Sequence, residues 1–207
     1  MEIKNIQKPQ KMKKLTSLLF LVALFAGTNS FAQSWKIDAA HSKVGFTAKY
    51  LVISDVEGQF KDFTGTVMSA KPDWSDLSIE ASINVNSITT DNEMRDKHLK
   101  SDDFFNAEKF PTIHFKSTGV KALGNNKFVL IGDLTIRDVT KHVELPLVYG
   151  GTVKDSWGNT KAGFKTTGTI NRKDFGLKYR DAAATGEAVV GDDVDFTINV
   201  VVIKQSI

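Results

Sequence analysis

From Leu77 to Val85 every second residue is apolar: Leu77, Ile79, Ala81, Ile83 and Val85 alternate with Ser78, Glu80, Ser82 and Asn84. A period of two marks a strand with one dry and one wet face, because successive side chains point to opposite sides of the pleat. The pattern recurs along most of the chain. Val44, Phe46, Ala48 and Tyr50 share one face; so do Ala162, Phe164, Thr166, Gly168 and Ile170, and, near the end, Val194, Phe196, Ile198, Val200 and Val202. Phe60 and Phe63 fall on opposite parities, which predicts a bulge or turn near Lys61 and Asp62. Gly124-Asn125-Asn126-Lys127 and Asp155-Ser156-Trp157-Gly158-Asn159 read as hairpin connections. About eight antiparallel strands are expected, and strands in that number close into a barrel or stack as a sandwich. An eight-stranded barrel either fills with side chains or encloses one small ligand.

One segment breaks the alternation. Thr90 or Asp91 can cap a helix running roughly from Asn92 to Lys100, with Glu93 at its positive end. Ser101 reads as a second cap, with Asp102 and Asp103 in the next turn and Phe104 and Phe105 directed at the barrel. Pro111 ends the insert before a strand from Thr112 to Phe115. Such an insert covers one barrel mouth, as a fixed plug or as a gate.

Lys11, Lys13 and Lys14 precede an uncharged run from Leu15 to Ala26, and Ser30-Phe31-Ala32 follows with small residues at the positions a signal peptidase reads. Residues 1–32 are therefore expected to be an export signal, cleaved between Ala32 and Gln33, with translation starting at Met1 or Met12. The apolar run is shorter than the roughly 20 residues a spanning helix needs. Removing the signal takes away five lysines and one glutamate and leaves 22 basic against 23 acidic residues. The basic balance of the full chain thus gives no support for nucleic-acid binding. Cys is absent, so neither a disulfide nor a lipid-modified cysteine is available. The expected product is one domain, residues 33–207, in the periplasm or, alternatively, secreted, with homodimerisation left open.

The residues that usually carry catalysis are missing. His41, His98, His114 and His142 form no close pair of metal-ligand spacing. There is no nucleophile elbow and no phosphate-binding glycine loop. The adjacent pairs Asp102 with Asp103 and Asp192 with Asp193 point in different directions on a regular element. The reading is non-catalytic, with no metal and no cofactor. The inward candidates are Phe46, Ala48, Ile79, Ala81, Ile83, Phe115, Phe164, Phe196 and Ile198. Small residues among them, with Gly168 and Thr166, leave room that an apolar tail could take, or that repacking closes. At the mouth, His98, Phe104, Phe105, Arg137, Lys141 and Arg172 are candidates for meeting a polar head group, Arg being suited to bidentate contact.

Four segments occur in order: Asp38-Ala39-Ala40-His41-Ser42-Lys43-Val44-Gly45-Phe46; Met94 to Phe115; Leu134-Thr135-Ile136-Arg137-Asp138-Val139-Thr140-Lys141; and Asn171-Arg172-Lys173-Asp174-Phe175-Gly176. Together they resemble the YceI-like polyisoprenoid-binding proteins over nearly all of the chain after residue 34. The resemblance implies an all-β fold, a lipocalin-like antiparallel barrel of about eight strands with a short helical insert. It implies an isoprenoid or related amphipathic lipid as ligand, with transient membrane contact. Asn171, where an acidic residue is common, and Asp138, where Gly is common, depart from the pattern. Three roles follow as expectations: a lipid carrier or store, a partner-binding module with a filled barrel, and an enzyme on a lipid or sugar, for which no inward catalytic pair is found.

Overall fold

The computed structural model describes residues 32–179 and 189–206. The segment read as an export signal lies, up to Phe31, outside the described residues. Twelve elements follow in chain order: β1 Gln33–Ile37, β2 Lys43–Tyr50, β3 Ser54–Phe60, β4 Phe63–Ser69, β5 Ser78–Asn84, β6 Ile88–Thr89, α1 Glu93–Lys100, β7 Thr112–Gly124, β8 Lys127–Ile136, β9 Val139–Lys154, β10 Thr160–Asn171 and β11 Val190–Lys204. Every strand pairing is antiparallel.

Three of the barrel strands are broken once. A 3₁₀ turn at Ala39–His41 separates β1 from β2, residues 61 and 62 separate β3 from β4, and a turn at Val85–Ser87 separates β5 from β6. The broken strands still pair as units. β2 with β3 and β1 with β4 form one ladder, while β3 with β6 and β4 with β5 form the next. The closure comes from β11, whose first part pairs with β2 and whose last part pairs with β1, as in Trp35 with Lys204. The result, among the described residues, is a closed eight-stranded meander barrel with a single short α-helix.

The predicted break at Lys61 and Asp62 exists, and its purpose is visible. It lets Phe60 and Phe63 both turn inward, and both are buried. The Gly124–Lys127 hairpin holds Asn125 and Asn126 at φ 50° and 60°, the left-handed pair that Asn tolerates. The β2–β3 turn adopts the same conformation with Leu51 and Val52, which have no such tolerance.

α1 differs from expectation at its start. Asn92 is the cap, its side chain accepting from the Arg95 amide at 3.0 Å. Thr90 is engaged elsewhere, donating from its amide and hydroxyl to Asp96 at 2.7 and 2.6 Å. Ser101 caps no second helix; residue 101 is a bend and residues 102–105 form turns.

Two packed clusters fill the barrel's ends. One is built on Trp35, Trp74, Phe128 and Phe164, with Trp74 and Phe164 edge to face at 5.0 Å. The other, beneath α1, gathers Phe60, Phe63, Ile88, Ile136, Phe175 and Leu177.

Candidate functional site

Between these clusters lies a cavity of about 270 Å³. A comparable apolar cavity of about 150 Å³ takes a benzene-sized ligand. All nine residues expected to face inward line it: Phe46 and Ala48 from β2; Ile79, Ala81 and Ile83 from β5; Phe115 from β7; Phe164 from β10; Phe196 and Ile198 from β11. Leu130 and Leu134 of β8 and Leu145 and Leu147 of β9 complete the wall. These four were not among the sequence candidates, although Phe128, Leu130, Gly132 and Leu134 alternate in the same way.

The phenylalanines do not point straight across the lumen. Phe46 is paired with Gly58 across the β2–β3 ladder, and Phe196 with Gly168 across β10–β11. In each pair the ring occupies the volume a Cβ on the glycine would need. The room that Gly168 was expected to leave is therefore taken by Phe196, while Ala48 and Ala81 still front the cavity. Rings laid against the wall widen a lumen that the same rings, upright, would close.

The lid comes from α1 and the turns after it. Leu99, Phe104 and Phe105 contribute to the cavity lining, and Phe105 meets Phe60 edge to face at 5.9 Å. The Phe105 amide donates to the Leu99 carbonyl at 3.0 Å, and the Ala107 amide to that of Lys100 at 2.9 Å, which folds the segment back on the helix. Asp96 ties the helix to Thr90. Burial raises the Asp96 pKa, but the Thr90 hydrogen bonds outweigh that and hold it below the ordinary aspartate value.

The basic mouth candidates mostly secure the lid and strands. Arg137 donates to the carbonyls of Phe104 at 2.9 Å and Gly176 at 3.0 Å, and stacks over Phe110. Lys141 stands 3.6 Å from Asp174. His98 is 2.9 Å from the Asp103 carboxylate and packs against Phe104 and Tyr179. None of these three reaches the cavity wall. The reason is geometric: Arg137 sits on the β8–β9 turn, Lys141 near the start of β9 and His98 on α1, and each has an acceptor within reach outside the lumen.

Arg172 does line the cavity and is 5 % exposed. Its guanidinium donates to the carbonyls of Gly191, Leu177 and Val190 at 2.9, 2.7 and 3.3 Å, and to Asp192 at 3.0 Å. Burial lowers its pKa and the Asp192 charge opposes the shift. Its main work is to join the turn after β10 to the start of β11. Asn171 caps that turn, accepting from the Lys173 amide at 3.1 Å. Among the described residues no group of three or more His, Cys, Asp or Glu could hold a metal ion.

The chain matches the YceI-like domain over residues 35–202. A Pseudomonas putida (strain W619) protein described as UPF0312 is 36% identical over 197 residues, covering 93% of this chain and 98% of its own. The crystal structure of Burkholderia cenocepacia BcnA superposes with a TM-score of 0.69 at 25% identity, covering 80% of this chain and 98% of that one. A Saccharophagus degradans domain described as polyisoprenoid binding, and implicated in plant cell wall breakdown, gives a TM-score of 0.64 at 13% identity, covering 83% and 98%. At that identity the likeness concerns the fold.

Proposed function

Because this chain belongs to the YceI-like domain family, we propose that its barrel is a non-catalytic container for an isoprenoid or related amphipathic lipid, carrying or storing it after export to the periplasm. The observation that carries the reading is the lidded cavity, walled almost wholly by apolar side chains. The description of the Saccharophagus domain as polyisoprenoid binding supports the ligand class. Affinity comes from burying the tail: at about 25 cal/mol per Å², a few hundred Å² yields several kcal/mol before ordering costs. The cavity is about twice a benzene-sized one, so a long tail displaces Phe104 and Phe105 or runs out beneath them. Lid movement and ligand length are thereby coupled.

Native mass spectrometry of detergent-free protein, followed by organic extraction, tests this. The expected result is a stoichiometric lipid that is lost from Phe164→Glu and Ala81→Trp variants whose circular dichroism is unchanged. Protein that is repeatedly lipid-free and takes up no added geranylgeraniol would refute the container.

A further inference from the structure

The turn that joins β2 to β3 is built against its own sequence. The Ile53 amide donates to the Tyr50 carbonyl at 3.2 Å, and the residues between, Leu51 and Val52, stand at φ 51° and 64°. A two-residue hairpin turn with both central residues at positive φ ordinarily takes Asn-Gly or its like, and a β-branched residue there is a strained outlier. The Gly124–Lys127 hairpin meets the same demand with Asn125 and Asn126. The β2–β3 tip instead keeps apolar side chains in strained positions and exposes them: Val52 is 65 % and Ile53 86 % exposed. Exposed apolar residues scattered singly need no explanation. An apolar pair at the point of a turn, held at a cost that Asn and Gly would remove, points to something that covers it.

Place, shape and charge identify the cover. Val190 of β11 pairs with Tyr50, while Lys204 at the other end of β11 pairs with Trp35, so the tip stands opposite the aromatic floor. It projects at the lid end, where Arg172 holds the Val190 and Gly191 carbonyls. Beyond Gln59, β3 pairs only with β2 among the described residues. Tyr50, 42 % exposed, shares a face of β2 with Ala48, and Ala48, Val190 and Val194 line the cavity, so the apolar surface runs from tip to lumen. Val153 and Trp157 are also exposed, but in the hairpin beside the floor, an end closed by the Trp35, Trp74 and Phe164 cluster. A convex point of a few side chains falls far short of the roughly 800 Å² that each partner buries in a stable protein interface. A bilayer accepts such a point, apolar at its end and with Tyr behind it at head-group level. Lys49 and Asp55, 2.7 Å apart beside the tip, cancel each other and offer no net attraction to anionic lipid.

We propose that the β2–β3 tip docks the barrel on a lipid bilayer, with Val52 and Ile53 inserted at the acyl boundary and Tyr50 among the head groups. This rests on the container reading above and adds to it the surface that is met and the end that meets it. A tail leaving the bilayer passes Tyr50 and Ala48 into the lumen without crossing water. The strain at Leu51 and Val52 persists because the residues that would relieve it would not insert.

Flotation with phosphatidylcholine vesicles tests the docking. The protein is expected to float with them equally in low and high salt and without anionic lipid. Val52→Gly with Ile53→Ser lowers the partition about tenfold, which is about 1.4 kcal/mol. Its denaturation midpoint does not fall, since Gly takes a φ of 64° freely. Tryptophan emission locates the contact. Trp157, 83 % exposed at the floor end, is unchanged by vesicles, whereas Val52→Trp in a Trp157→Phe background shifts to the blue. Uptake of geranylgeraniol from vesicles slows in the tip variant, and uptake from a cyclodextrin complex does not. A Trp157 shift, equal binding by the tip variant, or binding lost in high salt overturns the docking. Self-association without vesicles that the tip variant abolishes also overturns it, because the tip then serves a second copy. Parent protein that takes geranylgeraniol from cyclodextrin but ignores vesicles overturns the docking and spares the container. Tip-dependent flotation with no uptake from either source overturns the container and leaves the docking.

Discussion

Gly58→Ala isolates the device that keeps the lumen open. Gly58 faces Phe46 in register, and the added Cβ would stand 2.7 and 2.8 Å from the ring's Cε1 and Cε2 and closer still to Cζ. Ordinary contact begins at 3.4 Å, and Cζ is the nearest atom, so the ring must retreat by about 1 Å or more, into the cavity. Overpacking of this kind costs about 1–3 kcal/mol. Gly58 is not among the glycines with positive φ, so alanine meets no backbone penalty and gains about 0.4–1 kcal/mol from the stiffer unfolded chain. The net expectation is a loss of about 1–2 kcal/mol. In a Phe46→Leu background the clashing ring is gone, so the same substitution becomes neutral or stabilising by about 0.5 kcal/mol. Urea denaturation of the four proteins of this cycle, read by tryptophan emission, measures the coupling. An equal loss in both backgrounds would refute the reasoning, because the glycine would then serve the backbone and not the ring.

Three further outcomes follow from the same barrel geometry. Arg172→Met leaves three carbonyls without this donor and takes one of its cationic partners from Asp192, which keeps Lys173; a stability loss of about 3 kcal/mol or more is expected in denaturant titration, and a value under about 1 kcal/mol refutes the staple. The Asp96 pKa is lowered on folding from an ordinary value of 3.8, so its contribution is full well above that value and disappears as pH falls through the lower folded one. Hydrogen exchange at the Ala107 amide should therefore accelerate with acid relative to an Asp96→Asn variant, in which that component is absent at every pH. Replacing Leu51→Asn together with Val52→Gly relieves two left-handed residues at the β2–β3 turn and should add about 1–2 kcal/mol, seen as a higher denaturation midpoint.

The barrel was legible because period-two alternation survives every local irregularity. Val44, Phe46 and Ala48 read as one face, as do Phe164 and Thr166, and Phe196 and Ile198; all of these line the cavity. Even the kink at residues 61 and 62 announced itself as a parity error. What the pattern does not encode is which strand a broken segment joins. β1 and β2 behave as one strand only because β11, some 160 residues later, bridges both, and pairing over that separation leaves no local mark. The cap of α1 was missed for a related reason. Thr90, Asp91 and Asn92 are all capable, and the choice falls to Asn92 because Asp96 and Arg95 already occupy the Thr90 side chain.

The polar part of the site was harder, because a charged residue in a sequence shows its charge but not its partner. His98, Arg137 and Lys141 were candidates for meeting a head group at the mouth, and each meets an acceptor outside the cavity wall: Asp103, the Phe104 and Gly176 carbonyls, and Asp174. Thr166 looked the other way, as a small inward residue in an apolar row, because Thr is also a good strand former. That its buried hydroxyl makes no hydrogen bond is visible only once the strands are placed. In this barrel the electrostatically loud residues hold the walls and lid together, and the cavity is lined by side chains that alternation alone would assign to packing. Changing the rim charges should therefore alter lid stability more than it alters the cavity wall, which none of these three side chains lines.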